Sequence, residues 1–414
     1  MTDVITPFDV ERALGGQLRD WRHHLHRHPE TAFEEHATAD VLATTLENLG
    51  YAVARGVGGT GLVASLTRGD AANRNSAPAF PAGDEPEPER PRAVGLRADM
   101  DALPIQEVEG REHGSTNPGA MHACGHDGHM AMALGAAAVL AEEGGFEGTV
   151  RLVLQPAEEP GRGAQAMLDD GLLQRFPLDV LYGLHNLPGI PAGHLHVRPG
   201  SIMASEDNFT ITVHGRGGHA ARPEAVVDPL VAGAEIVLAL QTVVARNVEP
   251  LRPAVLSCTG FETDGARNAI PSTVRITGDT RSFDPRVQAL LEERIRAVAT
   301  GVASAHGARA EVTYTHEFAP TVNDPQVTAR AVAAAVAALG EGRVVADCDP
   351  VMPSEDFGVL ARHVPACFAL LGNGTGPGRG GTPLHSADYD LNDEILPAGV
   401  AFLVQAVRAE LPPT

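Results

Sequence analysis

The chain has 414 residues, a length at which one hydrophobic core usually gives way to two domains. Its hydrophobic content of 43% and aromatic content of 4% are typical of a soluble globular protein. A formal charge of -22 argues against a surface for nucleic acid or an anionic membrane, because both reward clustered cations. Its cationic residues are all arginine, which excludes Schiff-base and P-loop lysine chemistry.

The N-terminus lacks the basic and apolar regions of a signal peptide, and no apolar run approaches the roughly 18 residues of a membrane span. The four cysteines form no CxxC pair, so we expect reduced thiols or metal ligands rather than a disulfide framework. These features together predict a cytoplasmic protein.

Apolar residues spaced three or four apart predict a first helix over residues 9–28 and a second over Ala37–Leu49. Short apolar runs at Gly61–Leu66 and Ala93–Arg97 predict strands. The segment between these strands, residues 68–91, is rich in proline and acidic residues and has few large apolar groups. Such a segment buries too little surface to offset its ordering entropy, so we predict a disordered loop.

Strands and helices then alternate as far as residue 188, with a helix at His129–Glu143 and strands at Thr149–Leu154 and Val180–Leu184. This alternation predicts an α/β layer built on a central sheet.

From about residue 203 the predicted order becomes strand–helix–strand–strand–helix–strand, which is typical of a ferredoxin-like α+β unit. The six elements are Asn208–His214, Pro229–Arg246, Val255–Thr259, Val274–Arg281, Val287–His306 and Arg309–Thr315. The α/β pattern returns near residue 320, with a strand at Cys367–Leu371, and ends in a helix over Asp393–Leu411. We therefore predict a catalytic domain of residues 1–202 and 319–414, with residues 203–318 inserted into it.

A loop that enters the predicted helix at His129 contains the densest group of candidate metal ligands, Cys124 and His126. Side chains two positions apart can face one ion, and thiolate and imidazole suit zinc and neighbouring transition metals. An isolated Cys-x-His is more often a buried thiol beside solvated imidazoles in a glycine-containing loop than a metal site.

Two adjacent acids, Glu158 and Glu159, follow a buried strand, where α/β sheets place their active sites. Neighbouring side chains point in different directions, so one can bind metal while the other transfers protons. His185 and His385 follow two further predicted strands. Each feature alone is more often structural, but the combined set of one thiolate, three imidazoles and two carboxylates at strand ends is poorly explained by chance.

These residues belong to a longer series of motifs, and the series resembles the aminoacylase, hippurate hydrolase and auxin-conjugate amidohydrolase family of co-catalytic metallopeptidases. The motifs are Leu25–Glu30, Arg97–Pro104, Met121–His129, Glu158-Glu159, His185, Gly215–Ala220, Asn268–Pro271, Ser354–Phe357 and His385. The resemblance implies two divalent metal ions per subunit, Zn²⁺ or Mn²⁺ with Co²⁺ and Ni²⁺ as alternatives. The ligands it implies are Cys124, His126, Glu159, His185 and His385.

The same resemblance implies that Glu158 is the general base and that the inserted domain is a lid that often dimerises, so we expect a homodimer or a higher homo-oligomer formed through this domain. We expect His219 to donate a hydrogen bond to the oxyanion and Asn268 to bind substrate. Two positions depart from the wider superfamily pattern. Asp99-Met100-Asp101 stands where His-x-Asp is usual, so we expect Asp101 to orient a ligand from outside the metal shell. Glu224 stands where the lid motif usually has histidine.

The resulting hypothesis is a metal-dependent amidohydrolase that cleaves hippurate-like, N-acetyl or indole-acetyl amino acids to a carboxylate and a free amino acid. A dipeptidase or carboxypeptidase on the same scaffold is the first alternative. The others are an inactive metal- or ligand-binding protein and a hydrolase that uses the Cys124 thiol and survives chelation. No nucleic-acid or membrane partner is expected.

Overall fold

The computed structural model describes residues 4–69, 92–378 and 380–413. Most of the predicted loop over residues 68–91 lies outside these described residues, and Arg68 is the last residue of a strand. The helices are α1 (Pro7–Arg27), α2 (His36–Asn48), α3 (His126–Glu143), α4 (Gly163–Asp169), α5 (Leu172–Arg175), α6 (Pro229–Asn247), α7 (Pro285–Ala305), α8 (Pro325–Leu339), α9 (Phe357–Ala361) and α10 (Leu396–Glu410). The strands are β1 (Ala52–Arg55), β2 (Leu62–Arg68), β3 (Ala93–Asp99), β4 (Gly148–Gln155), β5 (Val180–Pro188), β6 (Leu195–His196), β7 (Gly200–Met203), β8 (Glu206–His214), β9 (Gly218–His219), β10 (Ala254–Thr263), β11 (Ala269–Ile270), β12 (Thr273–Ser282), β13 (Arg309–Phe318), β14 (Thr321–Asn323), β15 (Val344–Val345) and β16 (Ala366–Gly374).

Four of the helices in the described residues begin at local capping signals in the sequence. Thr6 and Asp9 form a capping box at α1, and α6, α7 and α8 each begin with an aspartate N-cap followed by proline. Helix α3 begins at His126 rather than at the predicted His129, because its N-cap is Gly125 with φ of 87°. A glycine at the N-cap leaves no side-chain capping signal in the sequence, so the prediction missed the first turn of α3.

The chain folds into two compact units, and the first comprises Met1–Gly200, Val322–Asp349 and Val359–Thr414. Within its described residues eight strands form one sheet in the order β1-β2-β4-β3-β5-β16-β6-β15. The neighbours β4, β3, β5 and β16 run parallel, so their carboxyl ends meet at one edge. This is the predicted α/β class.

Helix α3 is the central helix of the first unit. It packs against α1 and α10, and every residue from His126 to Leu140 is buried. A helix that is apolar on all sides and rich in alanine is suited to such a position, because small side chains let neighbouring helices approach closely. The first turn of α3, which begins with His126, is therefore held rigidly inside the core.

The second unit comprises Ser201–Thr321 and Pro350–Gly358. Its main sheet has the order β10-β12-β8-β13 with antiparallel neighbours, and α6 and α7 pack on it. This arrangement is the predicted ferredoxin-like unit.

The segment Pro350–Gly358 was predicted to lie in the other domain, outside the inserted range 203–318. It joins the second unit through hydrogen bonds to both ends of the insertion. The Val351 N–H donates to the Ile202 carbonyl at 2.9 Å, and the Thr321 hydroxyl donates to the Glu355 carbonyl at 3.1 Å. These long-range contacts leave no local signal in the sequence.

By length and composition alone, one helix of the described residues, α6, is apolar enough to cross a membrane, with a mean hydropathy of 1.4. In the structure its buried side packs on β8, β10 and β12 through residues that include Ile236 and Leu240. Leu238 and Val231 remain exposed on the same helix.

Candidate metal centre

Parallel strands bring the predicted ligands to one edge of the central sheet. Glu158 and Glu159 follow β4, His185 lies near the end of β5, and His385 lies beyond β16. Cys124 precedes α3, which crosses the same sheet. Since the carboxyl ends of parallel strands share one edge, residues far apart in sequence meet there.

The structure places the metal-binding atoms of these residues close together. Those of Cys124, Glu159 and His385 lie within 4.8 Å of one another, and those of His126, Glu158 and Glu159 form a second group of the same size. His185 lies next to the first group, with its Nε2 3.4 Å from the Cys124 sulfur. Two overlapping groups that share Glu159 provide two adjacent places for cations.

Hydrogen bonds at the opposite ring nitrogen decide which atom of each histidine faces the centre. Nδ1 of His126 donates to the Asp101 carbonyl at 2.8 Å, and Nδ1 of His185 donates to the Asn186 carbonyl at 2.6 Å. A carbonyl can only accept, so both Nδ1 atoms carry a proton, and in the neutral ring that binds a metal Nε2 keeps its lone pair. This is the usual support for a metal-binding histidine.

Several buried side-chain atoms among the described residues have no hydrogen-bond partner, and two of them, Nε2 of His126 and Oε1 of Glu159, lie in this group of potential ligands. Buried polar atoms are normally satisfied, and both of these are good ligands for a divalent ion. The residues present therefore fit the metal centre that the sequence predicts.

The charge balance of the site also favours cations. Burial lowers the pKa of His126, but the charge of Asp99 and the neighbouring acids outweighs it and raises the pKa to about 10. Burial raises the pKa of Glu159 to about 7. The raised pKa of His126 indicates that acidic groups dominate the charge around its ring, which favours a cation there. Burial lowers the pKa of His185 well below its usual value, which keeps its imidazole neutral as ligation requires.

The turn that carries Glu158 and Glu159 is held by two buried carboxylates. Asp101 accepts the backbone N–H of Glu158 at 2.9 Å and that of Glu159 at 3.1 Å. On the other side Glu35 accepts the N–H of Ala157 at 2.9 Å. Ala157 is in the left-handed region with φ of 48°, a strained conformation for a residue with a Cβ. Sequence reasoning missed Glu35, which has no motif around it that marks this role.

His129 lies beside the centre but is not available as a ligand. It forms a compact group with Asp99, His126 and His185. Its Nδ1 hydrogen bonds to Asp99 at 2.7 Å, and its Nε2 accepts the backbone N–H of Asn186 at 3.0 Å. Because both nitrogens are occupied, His129 and Asp99 form a buried support beside the candidate ligands.

The two predicted substrate contacts, His219 and Asn268, lie side by side in the second unit. His219 pairs with Ala269 across β9 and β11, and the Ala220 N–H donates to the Asn268 carbonyl at 3.1 Å. Both residues are exposed. Nδ1 of His219 accepts the Ala221 N–H at 3.1 Å, so a neutral ring carries its proton on Nε2 and can donate it outward. Glu224, at the variant position of the motif, is exposed.

Comparison with known proteins identifies the family of this chain. Residues 95–409 match the pattern described as peptidase family M20/M25/M40. The chain belongs to this family. A hippurate hydrolase of Campylobacter jejuni is 35% identical and the match covers 94% of this chain and 95% of that protein. The "IAA-amino acid hydrolase ILR1-like 5" of Arabidopsis thaliana is 37% identical, with 93% and 85% covered.

The fold agrees with a solved structure of the same family. The YXEP protein of Bacillus subtilis, described as a dinuclear metal binding peptidase, superposes with a TM-score of 0.79 at 28% identity, covering 97% of this chain and 99% of that one. The family resemblance predicted from the motifs is confirmed.

Proposed function

We propose that the protein is a metal-dependent amidohydrolase that cleaves N-acyl amino acids to a carboxylate and a free amino acid. The observation that carries this proposal is that the candidate ligands lie in overlapping groups, one of which includes Glu158, in a member of the M20 family. The names of the two relatives support the substrate class, since each names an acyl group joined to an amino acid by an amide.

The donor set supports two divalent ions, held by Cys124, His126, Glu159, His185 and His385. One thiolate and three imidazoles favour Zn²⁺, Co²⁺ or Ni²⁺, while the carboxylate also suits Mn²⁺. When bound, such ions supply Lewis acidity that polarises a carbonyl and acidifies water. Nothing in the donor set separates these four metals, so the native metal is left to experiment.

Glu158 is the proposed general base, which takes a proton from the attacking water and returns it to the departing amine. Its backbone is fixed by the hydrogen bond to Asp101, and the next N–H is held by the same carboxylate. A fixed turn keeps the carboxylate aimed without a conformational cost during the reaction. His219 is the proposed donor to the oxyanion through Nε2–H, and Asn268 is proposed to bind substrate through its amide.

We also propose that two copies associate through the second unit. Leu238 and Val231 on α6, Leu251 after it and Phe261 in β10 are all exposed apolar residues. β10 is an edge strand of its sheet, and edge strands have backbone groups available for pairing. An apolar helix face beside an open strand edge suits a self-complementary contact. All four cysteines are free, which supports the proposed cytoplasmic location.

The test is a hydrolysis screen against acetyl, benzoyl and indole-acetyl amino acids and dipeptides, with Mn²⁺, Zn²⁺, Co²⁺ and Ni²⁺ each added to chelated enzyme. We expect N-acyl amino acids to be cleaved, turnover to stop on chelation and one or more ions to restore it. Glu158→Gln is the control for contaminating hydrolases. Faster cleavage of dipeptides would favour the carboxypeptidase alternative. Full turnover from protein shown to be metal-free would favour the Cys124 thiol.

A further inference from the structure

A buried asparagine, Asn186, connects the segments that carry the ligands, although nothing in the proposed chemistry uses it. Its side chain is fully buried. The amide Nδ2 donates to the Cys124 carbonyl at 2.7 Å and also lies 3.2 Å from Nε2 of His129. The amide oxygen accepts the Tyr389 hydroxyl at 2.6 Å. One side chain thus connects the loop before α3, strand β5 and the segment after His385.

These contacts define the orientation of the amide. Nδ2 is the only atom of the group that can donate to the Cys124 carbonyl, and Oδ1 is the only one that can accept from Tyr389 without a competing hydrogen. A flipped amide would place its oxygen against the carbonyl oxygen of Cys124. Buried and fully bonded, the amide has one stable arrangement.

The backbone of Asn186 acts on the same centre. Its carbonyl accepts Nδ1 of His185 at 2.6 Å and so sets the tautomer that leaves Nε2 facing the Cys124 sulfur. Its N–H binds His129 at 3.0 Å. Asn186 therefore contacts the ring of the candidate ligand His185 and the backbone carbonyl of the candidate ligand Cys124.

Gly125, between the ligands Cys124 and His126, shows how closely this arrangement is packed. Its φ of 87° favours glycine, and a Cβ there would lie 2.3 Å from Nδ2 of Asn186 and 2.7 Å from the Tyr389 oxygen. Tyr389 has no exposed surface and follows His385, whose own φ of 61° is strained. Strained ligand positions persist only when neighbouring contacts hold them.

We propose that Asn186 and Tyr389 are positioning residues of the metal centre. The chain of hydrogen bonds from the Tyr389 hydroxyl through the Asn186 amide to the Cys124 carbonyl sets the spacing of the segments carrying Cys124, His185 and His385. The inference rests on the proposed metal-dependent function, because it concerns how tightly that centre holds its ions. Groups that orient ligands from outside the metal shell typically account for about 10–100-fold in metal affinity.

The test compares Tyr389→Phe with Tyr51→Phe. Each variant removes one buried tyrosine hydroxyl, and the Tyr51 hydroxyl donates to the Ala137 carbonyl within α3 at 3.1 Å. The full chain is freed of metal and titrated with Co²⁺, and the cobalt–thiolate absorption reports ligation by Cys124. We expect Tyr389→Phe to weaken Co²⁺ binding about 10–100-fold with an altered spectrum, and Tyr51→Phe to bind as wild type at a similar loss of melting temperature.

The outcomes separate the two proposals. If wild-type protein binds no Co²⁺, the proposed metal-dependent function is wrong; if it binds Co²⁺ without thiolate absorption, Cys124 is not a ligand and the positioning role is wrong. If wild type binds and Tyr389→Phe matches it in affinity and spectrum, the function stands and the positioning role is wrong. Equal weakening in both tyrosine variants would also overturn it, because that pattern follows from lost stability alone. Asn186→Asp, which keeps the acceptor for Tyr389 but replaces the donor to Cys124, should weaken binding as well.

Discussion

Arg22 offers a strong test of how the core supports the metal centre. It lies in α1 with 1% of its side chain exposed and forms ion pairs with three aspartates. Nε contacts Asp127 at 2.8 Å and one guanidinium nitrogen contacts Asp393 at 3.2 Å, while the other contacts Asp390. Asp127 follows the candidate ligand His126, so Arg22→Met should destabilise the fold and loosen the start of α3.

The magnitude follows from how much of each partner is buried. Asp127 is fully buried, whereas Asp390 and Asp393 are 38% and 25% exposed. Removing the partner of a buried charge costs about 3–5 kcal/mol, while exposed pairs contribute about 0–1 kcal/mol each. We therefore expect Arg22→Met to lower the free energy of unfolding by about 3–5 kcal/mol, with most of it from Asp127.

The loss should depend on pH. Burial raises the pKa of Asp127, but Arg22 and His26 outweigh it and hold the pKa well below its usual value. A carboxyl with a lowered folded pKa contributes stability that is present above its unfolded pKa of about 3.9 and lost as the pH falls. Without Arg22 the pKa of Asp127 rises, so in the folded variant this carboxyl takes up its proton at a higher pH than in wild type. The difference from wild type should be full at neutral pH and shrink toward about pH 4.

Urea unfolding followed by circular dichroism at neutral pH and near pH 4.5 measures the loss of unfolding free energy and its dependence on pH. Arg55→Met is the matched control, because Arg55 also contacts two carboxylates, Asp40 and Glu47, but all three side chains are exposed. It should change the free energy of unfolding by less than about 1 kcal/mol. A loss below about 1 kcal/mol in Arg22→Met, or one that grows on acidification, would refute the reasoning.

The other predictions concern the chemistry of the site. Glu158→Gln should lower kcat by at least about 10²-fold with unchanged metal content, while Glu159→Gln should lose metal as measured by elemental analysis. The reverse pattern would mean that the two roles are exchanged. Cys124→Ala should reduce metal occupancy at a given free metal concentration, and full occupancy would remove Cys124 from the ligand set. His219→Ala should lower kcat about 10²–10³-fold in steady-state assays with fold and metal retained, and near wild-type kinetics would exclude it.

Mixing His219→Ala with Glu158→Gln after subunit exchange asks a separate question. Partial recovery of activity would mean that His219 serves the site of a partner subunit.

Much of the architecture is determined by the sequence, because the signals involved are local. The helix predicted at Pro229–Arg246 ends one residue later in the structure, and the strand predicted from Ala93 begins there. Periodicity and aspartate–proline caps act over a few residues, so a single sequence contains them in full. The candidate ligands were also predicted, because Cys124 and His126 and the pair Glu158 and Glu159 stand in short motifs.

The supports of the site were decided only by tertiary structure. Glu35 binds Ala157 across 122 residues of sequence, and Tyr389 binds Asn186 across 203. A buried hydrogen bond of this kind depends on which strands become neighbours in the sheet, and no local pattern in the sequence records that choice. The same is true of His129, which resembles a ligand in sequence. It is removed from the ligand set only by the two hydrogen bonds that the fold supplies to its ring.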